Sequence, residues 1–148
     1  MILYADSSFI LSIHLKEPSR HEIARRVVDA ADGVACSLIA LPEVRSGLAR
    51  AHFRENPPRL TDASYARAVE EFQHDWRRYF RILLTDELIL RAGQLAEAHR
   101  IRGYDAVHLA SCLTLKDLRP DQVVVATWDK ELADASISEG LSLAHEVN

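Results

Sequence analysis

Apolar residues along this chain form two kinds of pattern: short continuous runs, and longer segments in which they recur at helical spacing. Short continuous runs are typical of strands that are buried on both faces, as in a parallel sheet. Such runs predict four strands and a weaker fifth candidate, at Ile2–Ala5, Val34–Ser37, Phe80–Leu84, Val123–Thr127 and Leu141–Val147.

Segments with helical spacing separate the strand-like runs, and capping or turn residues mark their ends. Ser19 is predicted to cap the second helix, and Gly103 to break the fifth. Strands that alternate with helices or helix pairs predict an α/β fold of three layers, with a central, mostly parallel sheet of four or five strands and helices on both faces. The predicted helices are Ser7–Leu15, Arg20–Ala31, Ile39–His52, Thr61 or Asp62 to about Arg78, Asp86–Ile101, Tyr104–Lys116 and Lys130–Ser138.

The length and the cysteines limit the class of protein. The 148 residues contain no linker or repeat, so we expect a single domain over residues 1–148. No apolar run approaches the ~20 residues that cross a bilayer, and the N-terminus lacks the features of a signal peptide. Cys36 and Cys112 lie far apart in apolar segments, which predicts two buried free thiols. We therefore expect a cytoplasmic protein with no membrane partner.

The charged residues give a mixed indication about nucleic acid. A net charge of −4 argues against binding through bulk charge. Most of the cations are arginine, however, and arginine suits bidentate contact with phosphate. Four arginines near the predicted turn after the third helix either contact a nucleic-acid backbone or form a solvated, ion-paired face: Arg45, Arg50, Arg54 and Arg59.

Carboxylates follow the predicted strands, at the end where a parallel sheet binds its ligands. Asp6 comes directly after the first strand, Glu43 lies a few residues into the helix after the second, and Asp129 follows the last strong strand. Asp105 stands near the start of a helix, just past Gly103. We expect these four carboxylates to converge on one rim of the sheet.

Each of these acids also has a simpler structural explanation. Asp6, Asp105 and Asp129 stand near helix starts, where aspartate caps free N–H groups, and Glu43 can be a solvated helix residue. As a group, however, they repel one another, by up to ~4 kcal/mol for a pair ~4 Å apart at an effective dielectric constant of 20. A cation relieves that repulsion, and oxygen ligands with no cysteine or histidine pair nearby select Mg²⁺ or Mn²⁺ over zinc.

Four segments of the chain, in order, resemble the motifs of the PIN-domain family and specifically of its VapC-type toxins. The first segment is similar to the opening strand, aspartate and serine of the family, and the other three resemble its second, third and fourth motifs. The segments are YADSSFIL with Asp6 and Ser8, CSLIALPEVRSGL with Glu43, GYDAVHLASCL with Asp105, and VVVATWDKEL with Thr127 and Asp129.

The resemblance implies a metal-dependent endoribonuclease that acts as the toxin of a toxin–antitoxin pair. It implies that the four carboxylates hold one or two Mg²⁺ or Mn²⁺ ions, that Ser8 orients Asp6, and that Thr127 positions a carboxylate or water. Metal-activated water then attacks an RNA phosphodiester and leaves a 5′-phosphate and a 3′-hydroxyl.

The same resemblance implies two protein partners, a second copy of the chain in a homodimer and a small cognate antitoxin. Four apolar residues of the first helix either form a groove for a partner helix or belong to the core: Phe9, Ile10, Ile13 and Leu15. A second apolar stripe is predicted to be core or subunit interface: Tyr65, Phe72, Trp76 and Tyr79.

Two further side chains lie beside the motif acids. Trp128 either stacks on an RNA base or packs at the rim of the site. His108 follows Asp105 by three residues and shares its helix face, where it either contacts the metal's water or the scissile phosphate or serves only as a hydrogen-bonded side chain.

Other classes of protein share part of this pattern. Phosphoryl-transfer domains of the haloacid-dehalogenase or receiver type also place an aspartate after the first strand. The former carry a second acid where Ser8 stands, and the latter need a lysine placed differently from Lys130. A catalytically silent PIN-like binding module is expected to have lost acids, whereas all four are present here.

Overall fold

A computed structural model describes residues 1–147 and contains five strands in one sheet. The strands are β1 (Ile2–Ala5), β2 (Gly33–Ser37), β3 (Phe80–Ile82), β4 (Val123–Ala126) and β5 (Ser142–Leu143). Their order in the sheet is β3-β2-β1-β4-β5, and every neighbouring pair is parallel. The predicted α/β fold with a mostly parallel central sheet is confirmed.

Between residues 1 and 147, seven helices cover the two faces of this sheet. They are α1 (Ser7–His14), α2 (Arg20–Asp29), α3 (Ala40–Phe53), α4 (Asp62–Trp76), α5 (Asp86–His99), α6 (Gly103–Leu118) and α7 (Lys130–Ser138). Apolar residues of α1 to α4 form one hydrophobic core with the sheet, and those of α5 to α7 form another on the opposite face. The protein therefore has the three layers expected from the sequence.

Strand β1 lies at the centre of the sheet, and its alternate residues enter the two cores. Leu3 and Ala5 pack with α1 to α4, whereas Tyr4 packs with α5 to α7. The continuous apolar run at residues 2–5 is explained by this double burial. Because β2 and β4 lie on opposite sides of β1, the connections diverge next to its carboxyl end, which is the usual position of a ligand crevice in a parallel sheet.

The first helix does not offer the groove that its apolar residues suggested. Phe9, Ile10, Ile13 and Leu15 are buried within the chain itself, so the groove prediction is wrong and the core alternative is correct. The stripe on α4 also packs into this core, and Phe72 is completely buried.

Several helix ends differ from the sequence-based expectation. Ser19 has a φ of 68° and makes no capping hydrogen bond, so it does not cap α2 in the predicted way. Gly103 is the first residue of α6, and α5 ends instead where Arg100 adopts a left-handed conformation. Thr61, by contrast, caps α4 and forms a reciprocal capping box with Ser64.

The two outer strands are shorter than predicted. Strand β3 ends at Ile82, and Leu83 and Leu84 lie exposed beyond it, because β3 is an edge strand with only β2 as a partner. Strand β5 comprises only Ser142–Leu143 and pairs with β4 alone. The apolar residues that flank these edge strands continue the apolar run of the strand, so the sequence pattern does not show where the strand ends.

The cysteine prediction is confirmed, since Cys36 and Cys112 are both free and buried. Burial raises the pKa of the Cys36 thiol to about 12 and also raises that of Cys112. Within residues 1–147, none of the helices combines the length and apolar character required to span a membrane.

The packing of α4 predicts a large stability difference between two phenylalanines. Phe72→Ala should lower the free energy of unfolding by about 3–5 kcal/mol, because it leaves a cavity in the core between α4 and the sheet. Phe53→Ala is the matched control, since 70% of that side chain is exposed, and it should cost less than about 1 kcal/mol. Urea unfolding curves would measure both, and equal losses would contradict this description of the core.

Candidate active site

All four predicted acids line one cavity of about 770 Å³ at the carboxyl end of the sheet. Asp6 lies between β1 and α1, and Glu43 lies in the first turn of α3. Asp105 lies in the first turn of α6, and Asp129 is the N-cap residue of α7. The parallel sheet thus brings together side chains that are as far apart as residues 6 and 129.

Asp6 is the most buried of these acids, with 4% of its surface exposed. Its Oδ1 accepts the Phe9 N–H at 2.9 Å, which caps α1, and the Ser8 hydroxyl at 2.9 Å. Its Oδ2 accepts the Thr127 hydroxyl at 2.7 Å. Burial raises the pKa of Asp6, while the charge of His108 and these hydrogen bonds act in the opposite direction. The carboxylate is both a helix cap and part of the cavity wall, so the two explanations of Asp6 are not exclusive.

Ser8 and Thr127 connect Asp6 to the segment that follows β4. The Ser8 hydroxyl oxygen accepts the Trp128 N–H at 2.9 Å, and the Thr127 hydroxyl oxygen accepts the Asp129 N–H at 3.0 Å. Thr127 itself is fully buried. These bonds fix the end of β4 against the start of α1 and hold the Asp6 side chain in one orientation.

Glu43 is held by two residues from other elements. Its Oε2 contacts His108 Nε2 at 2.7 Å and accepts a hydrogen bond from the Ser7 hydroxyl. His108 is 2% exposed, and its Nδ1 lies 3.1 Å from the Tyr4 hydroxyl. Burial acts to raise the pKa of Glu43, but the bonds to His108 and Ser7 and the charge of His108 together hold it below its usual range. His108 is thus hydrogen-bonded at both ring nitrogens and also lines the cavity, so its contact with a metal's water or a phosphate stays a prediction.

Asp105 and Asp129 share a single cation from the chain. Arg102 donates from Nε to Asp105 Oδ2 at 3.0 Å and from a terminal nitrogen to Asp129 Oδ2 at 2.7 Å. Burial raises the pKa of Asp105, and the charge of Asp129 adds to this increase, whereas the hydrogen bond from Arg102 lowers it. Asp129 also caps α7 by accepting the Leu132 N–H at Oδ1. The guanidinium thus offsets the repulsion between these two carboxylates.

Sequence reasoning missed three members of the site: Ser7, Tyr4 and Arg102. Ser7 and Tyr4 flank Asp6 on β1 and α1, but nothing in their spacing shows that they meet a histidine more than 100 residues away. Arg102 had a usable signal, because it precedes Asp105 by three residues at a helix start, where two such side chains face each other.

The donor set fits a hard divalent ion in its chemistry but is not assembled around one. Carboxylate oxygens from four elements face one cavity, and Mg²⁺ and Mn²⁺ prefer such ligands. Within residues 1–147, no three Asp, Glu, His or Cys side chains are close enough together to hold an ion. Arg102 is already bound to two of the four acids. An ion bound here would therefore replace contacts that the chain makes with itself.

The neighbouring aromatic and basic residues divide between packing and exposure. Trp128 donates from its indole nitrogen to Ser12 at 2.9 Å and stacks on Phe9, so it packs at the rim. Arg50 lines the cavity, whereas Arg59 forms ion pairs with two glutamates outside it. Arg45 and Arg54 are exposed and do not line the cavity.

Comparison with known proteins identifies the family. The model of the PIN domain matches residues 3–137. Ribonuclease VapC45 of Mycobacterium tuberculosis is 34% identical over 143 residues, which is 97% of this chain and 94% of that protein. Two solved structures share the fold: a toxin–antitoxin complex from Klebsiella pneumoniae, and VapC20 of Mycobacterium tuberculosis, described as a sarcin–ricin loop cleaving toxin.

Both structures align with a TM-score of 0.65 and 18% sequence identity. The first alignment covers 99% of this chain and 100% of its counterpart, and the second covers 90% and 94%. The acidic cavity, the parallel sheet and the match over residues 3–137 agree with one another. The chain belongs to the PIN-domain family and is a homologue of the VapC ribonucleases.

Proposed function

We propose that this protein is a metal-dependent endoribonuclease and the toxin of a toxin–antitoxin pair. The observation that carries the proposal is the convergence of four carboxylates on one cavity at the carboxyl end of the sheet. The similarity to a named ribonuclease over 97% of the chain supports the same activity. The substrate class is RNA, and the reaction is hydrolysis of a phosphodiester bond.

The four carboxylates are the proposed ligands of one or two Mg²⁺ or Mn²⁺ ions: Asp6, Glu43, Asp105 and Asp129. When bound, such an ion polarises the phosphate and lowers the pKa of its water ligand. Hydrolysis of the phosphodiester would leave a 5′-phosphate and a 3′-hydroxyl.

Hydrogen-bonded neighbours prepare two of the acids for this role. Ser8 and Thr127 fix the orientation of Asp6, so that little reorganisation is needed when a ligand arrives. His108 and Ser7 both bond Oε2 of Glu43. Among the residues that the structure describes, the hydrogen bonds of the Glu43 carboxylate are made at Oε2, and the lowered pKa favours its charged form.

The substrate backbone needs cations, and the cavity provides them at its rim. Arg50 lines the cavity on the side of α3, close to Glu43, and contacts Ser46 through a hydrogen bond of 3.3 Å. An exposed arginine beside a cluster of carboxylates is suited to bind a phosphate that the carboxylates alone would repel. We therefore assign the phosphate-binding role to Arg50, ahead of Arg45, Arg54 and Arg59.

The competing phosphoryl-transfer functions lack support in the geometry. The Ser8 hydroxyl donates a hydrogen bond to Asp6 and thus orients that group, whereas a dehalogenase-type domain has a second acid at this position. Lys130 pairs with Asp134 at 2.9 Å and does not line the cavity with Asp6, as a receiver-type lysine would. A silent binding module has no need for four acids in one cavity, which favours the nuclease.

The first prediction concerns the metal. Purified protein should cleave total RNA in the presence of Mg²⁺ or Mn²⁺ and should stop when a chelator is in excess. The reason is that His108, the other group in the cavity that could activate water, already has both ring nitrogens within hydrogen-bond distance of Tyr4, Ser7 and Glu43. Gel analysis of the RNA and mapping of the new 5′ ends would test this. Undiminished cleavage in excess chelator would remove the metal from the proposed mechanism.

The second prediction separates the capping role of Asp6 from its catalytic role. Asp6→Asn keeps the cap of α1, since asparagine caps about as well as aspartate. It removes one negative charge from the ligand set, so cleavage should fall by more than the roughly 10–100-fold typical of outer-sphere positions. Asp86→Asn, at an exposed position in the first turn of α5, is the matched control and should cleave normally.

The melting temperature of Asp6→Asn should stay close to the wild-type value at neutral pH, because the amide removes a buried negative charge but also one of the two oxygens that accept hydrogen bonds. The raised pKa of Asp6 means that the folded protein binds this proton more tightly than the unfolded chain does. This carboxylate therefore reduces stability as the pH rises above its ordinary pKa, and the amide removes that cost. Near-normal RNA cleavage by Asp6→Asn would contradict the catalytic role.

We also propose that the protein forms a homodimer and is bound by a small cognate antitoxin. The assembly of the Klebsiella pneumoniae relative with an antitoxin supports the second partner. Exposed apolar side chains of β3, of the segment that follows it and of α5 support a contact between two copies: Phe80, Leu83, Leu84, Ile89 and Leu90.

Light scattering should show a dimer at micromolar concentration, and Leu90→Asp should shift it toward the monomer, because the charge would be buried in the contact. Ile137→Asp is the matched control, since Ile137 is similarly exposed but lies on α7. A monomeric wild-type protein, or equal effects of the two substitutions, would contradict this assignment.

A further inference from the structure

Arg102 bridges two of the proposed metal ligands with one guanidinium group, at 3.0 Å from Asp105 and 2.7 Å from Asp129. We propose that Arg102 is a displaceable counter-ion, which holds these two carboxylates when no metal is bound and transfers to an RNA phosphate when an ion takes its place. The inference rests on the proposed nuclease function and adds a coupling between metal binding and substrate binding.

The position of the guanidinium supports the first half of this proposal. Asp105 and Asp129 belong to different helices, α6 and α7, and Arg102 binds the Oδ2 atom of each. Asp129 keeps its capping bond at the other oxygen, Oδ1. If the Arg102 side chain moved, the Oδ2 atoms of Asp105 and Asp129 would be freed together. The guanidinium therefore occupies the position where a cation shared by both carboxylates would bind.

The surroundings of Arg102 make this movement easy. Its side chain is 72% exposed, and ion pairs of exposed side chains are individually weak. Its backbone precedes α6, and its side chain makes no capping bond there, so a change of rotamer leaves the helix start intact. Thr127 and His108, which hold Asp6 and Glu43, are almost completely buried and have no such freedom.

The cavity also provides a second partner for the released guanidinium. Among its lining residues, Arg50 and Arg102 are the arginines, and no lysine lines it. Once a divalent ion neutralises the carboxylates, the strongest remaining partner for a guanidinium in this cavity is a phosphate, which it can bind with two parallel hydrogen bonds. Metal and RNA should therefore bind with positive coupling through this one side chain.

The test is a calorimetric titration of Mn²⁺ into wild-type protein and Arg102→Ala, followed by cleavage kinetics at saturating Mn²⁺. The variant should bind Mn²⁺ about 3- to 10-fold more tightly at low salt, with a smaller difference at high salt, because an internal competitor has been removed. Its KM for RNA should rise by at least about 3-fold, because one phosphate contact is lost. Arg91→Ala removes the same charge and a comparable bond, to Asp117 at 2.7 Å, and should change neither quantity.

Two further measurements test whether the variants are folded and whether the charge of Arg102 or its geometry is responsible for the effect. In chelator, Arg102→Ala should melt at a lower temperature than the wild type, because the two aspartates then repel each other without relief. Added Mn²⁺ should abolish this difference in melting temperature. Arg102→Lys keeps the charge but cannot reach both carboxylates with one rigid fork, so its Mn²⁺ affinity should lie between those of the other two proteins.

The outcomes distinguish this inference from the proposed function. Weaker or unchanged Mn²⁺ binding by Arg102→Ala, with wild-type cleavage still dependent on the ion, would overturn the inference and leave the nuclease intact. Such a result would mean that Arg102 stays bound to the ligands and orients them. Absence of Mn²⁺ binding by both proteins would overturn both proposals.

Discussion

Repulsion among carboxylates at one end of a parallel sheet is the constraint on which the rest of this site depends. Each acid in the cavity is matched by donors from another part of the chain. Thr127 and Ser8 bond Asp6, His108 bonds Glu43, and Arg102 joins the remaining two acids. These bonds run between α1, β4, α3 and α6, so the interactions that make the acidic cluster tolerable also connect the elements around the carboxyl end of the sheet.

The N-terminal ends of the helices also reduce the repulsion among the carboxylates. Asp6 and Asp129 cap α1 and α7, and Asp105 and Glu43 lie in the first turns of α6 and α3. The free N–H groups and the positive ends of the helix dipoles therefore point toward the cavity, where they favour negative charge. In this fold, capping and ligand binding are served by the same carboxylates, because the parallel topology places strand ends and helix starts at one edge.

The sequence and its family resemblance predicted the acids of this site and the two hydroxyls beside Asp6, those of Ser8 and Thr127, but not the rest of the network. Asp6 and Asp129 follow buried apolar runs, and that local signal depends only on neighbouring residues. The contact between Tyr4 and His108 spans 104 positions and depends on how α6 packs on β1, which no spacing rule encodes. The same limit explains the error over the first helix, since Phe9 gives one periodicity whether the chain or a partner covers it.

Local conformation explains the remaining differences between expectation and structure. Ser19 and Gly103 are residue types that favour particular helix ends, yet tertiary packing placed the left-handed residue at Arg100 and began α6 at Gly103. Capping by Thr61 was predictable, because its partner Ser64 lies within the same turn. The Thr61 cap could thus be predicted from residues within one turn, whereas the end of α5 at Arg100 could not.

The donors around the cavity differ in burial: the one on the solvent side is exposed, and two of the others are buried. Thr127 and His108, which bond Asp6 and Glu43, are almost completely buried, and tight packing fixes them. Arg102 lies on the solvent side of Asp105 and Asp129. A ligand that enters from solvent therefore meets an exchangeable guanidinium first and rigid carboxylates behind it. Rearrangement on binding is expected to be confined to a few side chains on the α6 and α7 side, while the sheet and the buried hydrogen bonds remain as they are.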